Sequence, residues 1–152
     1  MRRTLPIVAL LLVAAALWLA PRATRLQAEE RAHAPRFAAV DVFVDAKSAS
    51  LAAWQVELDA ERKGIQIVGV EGGEHAAFAK PPYYDPKALK DDRIVLAAFS
   101  TGKDLPSGRT RVARVHLRIE DGGDAAFAVK LLASASMDGK EASATVSVEE
   151  HR

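Results

Sequence analysis

Residues 40–70 read VDVFVDAKSASLAAWQVELDAERKGIQIVGV, and the period of this stretch decides the fold class. Val40, Val42 and Val44 alternate with Asp41, Phe43 and Asp45. Ala52, Trp54, Val56 and Leu58 alternate with Ala53, Gln55 and Glu57. Successive strand side chains point to opposite faces, so a period of two marks strands buried on one side. Ile65 and Ile67 open a third run that reaches Val68 and Val70 only after a change of phase, and a β-bulge near Gly69 produces such a change.

Outward from this stretch the pattern continues. Ala113, Val115, Leu117 and Ile119 alternate with Arg114, His116 and Arg118; Phe127, Val129 and Leu131 alternate with Ala128, Lys130 and Leu132; Ala144, Val146 and Val148 alternate with Thr145 and Ser147. Ile94 to Phe99, IVLAAF, is continuously apolar, which suits a central strand covered on both faces. Turn residues separate the runs: Lys63-Gly64, Gly72-Gly73, Pro81-Pro82, Pro106-Ser107-Gly108, Asp121-Gly122-Gly123-Asp124 and Asp138-Gly139. One helical turn is expected at Asp85 to Lys90, with Asp85 as its cap and Pro86 at its first position. Short strands spaced by turns, with no long helix, predict an all-β sandwich.

The N-terminus obeys a different rule. Arg2 and Arg3 precede Leu5 to Ala20, LPIVALLLVAAALWLA, which carries no charge. A basic start and an apolar run form the layout of an export signal. No good small-x-small cleavage site follows: Trp18 stands at the −3 position for a cut after Ala20, and Pro21 comes next. Residues 4–20 are just long enough for a membrane span. The expected organisation is therefore a hydrophobic helix in residues 1–23 serving as signal peptide or membrane anchor, a polar tether over 24–36, and one domain over 37–150. Its expected location is the non-cytoplasmic side, membrane-anchored or secreted, with membrane contact through residues 4–20.

Charge and composition exclude several functions. Residues 1–36 hold six arginines against two glutamates, while residues 37–152 hold 15 basic and 18 acidic side chains. The mildly acidic domain lacks the electrostatic support that nucleic-acid binding requires. No cysteine is present, so disulfides, thiolate catalysis and Cys-ligated zinc are out. The four histidines, His33, His75, His116 and His151, have no metal-ligand spacing, and Gly-x-Ser-x-Gly is absent. Asp121 to Asp124 and Asp138 to Glu141 place oxygens on tight loops. Neither supplies the six to eight ligands of calcium, and Asp-Gly is an ordinary turn pair. No catalytic residue, metal or cofactor is expected.

The run LAAWQVELDAERKGIQIVGVEGGE, with the valine strand before it, resembles the opening of cohesin-type domains. Ile94 to Ser100, Pro106 to Ile119 and Met137-Asp-Gly-Lys-Glu141 match later cohesin pieces in order, so the resemblance covers about residues 38–148. It implies a jelly-roll β-sandwich of about eight to nine strands, of the cohesin and carbohydrate-binding-module kind, acting as a binding module. The sequence holds no dockerin-like calcium repeat and no tandem copy, so a cellulosomal scaffold role is not implied.

Two segments are candidate binding elements. In Ala76 to Leu89 two tyrosines adjoin two prolines, and rigid aromatics anchor interfaces at low entropy cost. Phe78, Tyr83 and Tyr84 either plug the end of the sandwich or contact a ligand. Arg114, His116 and Arg118 share one strand face, either as a stripe for an acidic partner or as a solvated face paired with neighbouring acids. Phe43, out of phase with the valines, is either surface patch or covered core, and Trp54 is in core phase. The expected partner is another envelope or extracellular protein, or alternatively a polysaccharide.

Overall fold

The computed structural model describes residues 34–151, and the hydrophobic helix and tether expected before Ala34 lie outside them. Seven strands follow among the described residues: β1 (Arg36–Asp45), β2 (Leu51–Ala60), β3 (Ile65–Gly72), β4 (Arg93–Phe99), β5 (Arg109–Ile119), β6 (Phe127–Ser136) and β7 (Thr145–Glu150). All pairings are antiparallel. One sheet has the order β3-β5-β1-β7 and the other β4-β2-β6.

The dry interior is built as the alternation predicts. Val40, Val42, Val44, Val115, Leu117 and Ile119 from the four-stranded sheet are fully buried against Trp54, Val56, Leu58, Ile94 and Leu96 from the other. Each such aliphatic side chain contributes about 1.5–3 kcal/mol by leaving water. Bulges correct the phase where the strict period fails. The β3 register shifts between Ile67 and Gly69, leaving Val68 as the extra residue, as the sequence suggested. On β5, Val112 has no opposite number across the Val42/Phe43 shift, so Val112 and Ala113 are both buried. On β6 the same happens at Leu132, which is exposed.

Two expectations need correction. The strand count is seven rather than eight or nine, because two short segments make single bridges only: Tyr83 with Ala97, and Glu141 with Ala135. Pro81, Pro82 and Pro86 lack N–H donors, which denies the Tyr83 segment a longer ladder. Nor is Ile94 to Phe99 central. It is the edge strand β4, and its inner side chains are covered while Val95, Ala97 and Phe99 point outward.

The side of the sandwich formed by β3 and β4 is sealed by the chain between Tyr83 and Asp91. Ile67 N–H donates to Asp91 O at 2.9 Å, and Lys90 N–H donates to Ile67 O at 2.7 Å. Lys90 turns the chain there with a φ of 81°. The expected helical turn is a 3₁₀ turn at Pro86–Ala88, where the Asp85 carboxylate accepts from Lys87 N–H. Tyr84, Ala88 and Leu89 pack on the core beneath. Ile65, Ile67, Ile94 and Leu96, at the two edges, are consequently 0–2% exposed.

Candidate functional site

The outer face of the three-stranded sheet is apolar at one end. Pairing puts Phe99, Ala53 and Ala135 in one row and Ala97, Gln55 and Ala133 in the next. Two rows further down the face turns polar, with Val95, Glu57 and Lys130, then Arg93, Asp59 and Ala128. Arg93 is tied to the Glu57 carboxylate, so the polar end is partly neutralised in place. The alanine floor is a shallow hollow of ≈ 280 Å³.

Tyr83 forms its wall. Its N–H donates to Ala97 O at 2.7 Å and its carbonyl accepts from Ala97 N–H at 3.0 Å, which fixes the backbone against the β4 edge. The Tyr83 and Phe99 rings form an offset, nearly parallel pair, 6.3 Å between centroids and 12° between planes. Tyr83 is 71% exposed and Phe99 65%, and Met137, at the tip of the hairpin following β6, is exposed beyond Ala135. Large apolar side chains held in water together at one end of one face mark interaction surfaces.

The other residues singled out in the sequence lie elsewhere. Phe78 is 3% exposed and meets Trp54 edge to face, 6.1 Å between centroids. It plugs the end of the sandwich. The turn that carries it is seated by a hydrogen bond from Gly73 N–H to Phe78 O, and by Gly72, where a Cβ would stand 2.1 Å from Ala79 O. His75 caps this turn by accepting from Ala77 N–H. Tyr84 is half-buried against the core, so of the three aromatics only Tyr83 faces solvent.

Arg114, His116 and Arg118 do share a face, on the four-stranded sheet, away from Tyr83. Each has a partner one strand or one turn away. Arg114 donates to both Asp41 oxygens, at 2.7 and 3.0 Å; His116 Nε2 meets Glu71 at 2.8 Å; Arg118 reaches Gln66 and Glu120. Arg109 stacks 3.5 Å over Phe43 and binds Glu149. Burial pushes the Asp41 carboxyl upward, but the Arg114 hydrogen bond and charge, with Arg111 and His151 adding, outweigh it and hold the group below the ordinary carboxylate range. The same contact raises Arg114. Each basic side chain named on this face is thus partnered within the chain.

Several of the loop oxygens considered for calcium are engaged within the chain. Arg36 donates to Gly122 O and Gly123 O, and Arg62 donates to Asp124 O and to both oxygens of Asp121. The Arg62 hydrogen bond lowers the Asp121 pKa, with the Gly123 N–H adding. Asp138 is likewise lowered, by Ser136 and then Lys140 within its own turn. Among the described residues no three His, Asp or Glu side chains converge as metal ligands.

Sequence reasoning missed Ala53, Ala97, Phe99, Ala133 and Ala135. The signal was present: at one end of β2, β4 and β6 the positions out of core phase, Ala53, Ala97, Ala133 and Ala135, hold alanine where a solvated face would hold charge.

No family model matches the chain, and no curated protein does. Solved structures do. A non-cellulosomal cohesin from Archaeoglobus fulgidus superposes with a TM-score of 0.52 at 13% identity, over 72% of this chain and 73% of that one. The seventh ScaB type I cohesin of Pseudobacteroides cellulosolvens gives 0.51 at 11% identity, over 73% and 75%. At such identities the likeness speaks to architecture alone, and the architecture of this chain is a cohesin-like β-sandwich.

Proposed function

We propose that this chain is an exported, non-catalytic protein-binding module whose partner docks on the Phe99 end of the β4-β2-β6 face. The observation that carries the reading is the apolar floor of Ala53, Ala97, Ala133 and Ala135 beside the exposed Tyr83–Phe99 stack. Small side chains let a partner's backbone approach closely, and the ring pair supplies the large, rigid contact area typical of binding hot spots. The cohesin-like architecture supports a protein-interaction module. The basic start and apolar run of residues 2–20 support export, with the domain held at the membrane or released beyond it.

A polysaccharide ligand fits less well. Sugar-binding platforms set several exposed aromatic rings side by side, whereas this face carries only two among the described residues, Tyr83 and Phe99.

The test is capture from envelope extract on the immobilised full-length chain, comparing wild type with Ala133→Arg and Arg118→Ala. One specific protein should be retained by wild type and Arg118→Ala and lost by Ala133→Arg at unchanged melting temperature. Equal retention by Ala133→Arg rules out this face. Retention of glycan in place of protein rules out the protein-binding reading.

A further inference from the structure

We propose that two copies of the chain associate edge to edge through β7, joining their four-stranded sheets into one of eight strands. This rests on the side of the sandwich opposite the sealing segment between Tyr83 and Asp91 and does not depend on the docking face described above.

The two sides of the sandwich are finished differently. Where β3 and β4 meet, the Tyr83–Asp91 segment seals the core and hydrogen-bonds Ile67 on the edge of β3 and Ala97 on the edge of β4. Where β6 and β7 meet, no segment among the described residues covers the outer edge of β7. The inward-facing Phe127, Val129, Leu131, Val146 and Val148 are all left partly exposed. Alternation fixes which backbone groups face out. His151 N–H donates to Ala39 O on β1, so Glu149, Ser147 and Thr145 also direct their backbone groups to β1. Val146 and Val148 therefore direct theirs away from the sheet. An unpaired row of this kind is a template for another strand.

A second β7 fits it. With a twofold axis at Ser147, Val146 meets the partner's Val148 as a hydrogen-bonded pair, and Ser147 meets the partner's Ser147. Glu149 then stands beside the partner's Thr145, so no like charges are opposed. Acidic residues usually guard an edge against such pairing, but here they are neutralised within the chain: Glu149 binds Arg109 at 2.6 Å and Glu150 binds Arg36 at 2.8 Å. A strand of mixed sequence from another protein would not reproduce this match of apolar to apolar and Thr to Glu, which favours a second copy as the occupant.

The cysteine-free sequence gives a clean readout. In the register proposed, the two Ser147 Cα atoms stand about 4.5 Å apart, within the roughly 4.4–6.8 Å of disulfides. Full-length Ser147→Cys, mildly oxidised in its membrane or in detergent, should run mostly as a covalent dimer. Thr145→Cys alone and Glu149→Cys alone should not cross-link, while a mixture of the two should. Val148→Pro removes an outward N–H and breaks no hydrogen bond within the chain, so it should cut Ser147→Cys cross-linking at least tenfold with the melting temperature held. The proposal is overturned if Ser147→Cys dimerises no better than Ser107→Cys on an exposed loop. It is also overturned if Thr145→Cys or Glu149→Cys alone cross-links as well as their mixture, or if a folded Val148→Pro variant cross-links undiminished.

Discussion

On the outer face of β5 every basic side chain meets an acid, an amide or a carbonyl close by, whereas at the Phe99 end of the β4-β2-β6 face most outer positions hold alanine. Both faces follow the same alternation and cover the same core. They differ in whether the side chains that turn outward have found partners within the chain. A charged face whose members are all paired offers a ligand little, because each new contact has to break an old one. An apolar face with nothing over it gains from any matching surface that displaces its water. The lesson is that conspicuous residues, such as an arginine-histidine stripe, mark a binding site only when the fold leaves them unsatisfied.

Several substitutions test this contrast. The largest effect is expected from Ala133→Arg, which places a charge at the centre of the alanine floor. Partner affinity should fall by on the order of 100-fold or more, as burying an unpaired charge does, while thermal melting stays within a degree or two. Equal affinity, measured by surface resonance with the captured partner, would erase the distinction between the faces. Asp41→Ala should do the reverse. It strands Arg114 and should destabilise the domain by about 1–3 kcal/mol in urea denaturation, with partner affinity unchanged. Tyr83→Ala removes the stacked pair, worth about 0.5–1.5 kcal/mol, so affinity should drop roughly threefold to tenfold with little change in melting.

Acid should separate the faces more gently. The Asp41, Asp121 and Asp138 carboxyls all titrate below their ordinary values. Their stabilising contribution is complete above the unfolded value of about 3.9 and is lost as pH falls through the lower folded values. Melting temperature should therefore hold down to about pH 4 and fall only below it. Partner binding through the alanine floor should be flat from neutral pH down to the same pH of about 4, and below it should fall only as the domain unfolds; a loss of binding in the still-folded domain as Asp41 is protonated would implicate the charged face. The smallest effect belongs to Arg118→Ala, an exposed and redundantly paired side chain, which should change stability by less than about 0.5 kcal/mol.

Much of the fold was legible because its inward positions are long aliphatics and its strands obey period two. Val40, Val42 and Val44, the Trp54 strand, the bulge beside Gly69 and the Asp85 cap could all be read directly. Ile94 to Phe99 misled for an instructive reason. Continuous apolarity ordinarily means burial on both faces, and in β4 the outer half is apolar because it belongs to the patch. The misplaced strand was thus itself the sign of the site. Phe78 and Tyr83 could not be separated from sequence, because only the Gly72–Gly73 close approach and the Ala97 bridge decide which ring turns inward. The pairing of Arg114 with Asp41 required the register of β1 against β5, which alternation alone does not supply.

The direction of β1 has a consequence for reach. The strand starts at Arg36, beside the clamp on the Asp121–Asp124 loop, and ends at Asp45, near the turn that leads to Leu51. Ten extended residues span about 33 Å. Whatever joins the chain ahead of Pro35 therefore attaches at one pole of the sandwich, and Tyr83 and Phe99 crown the other. The apolar end thus stands a full strand's length from the point where the first strand begins, at the opposite tip of the sandwich.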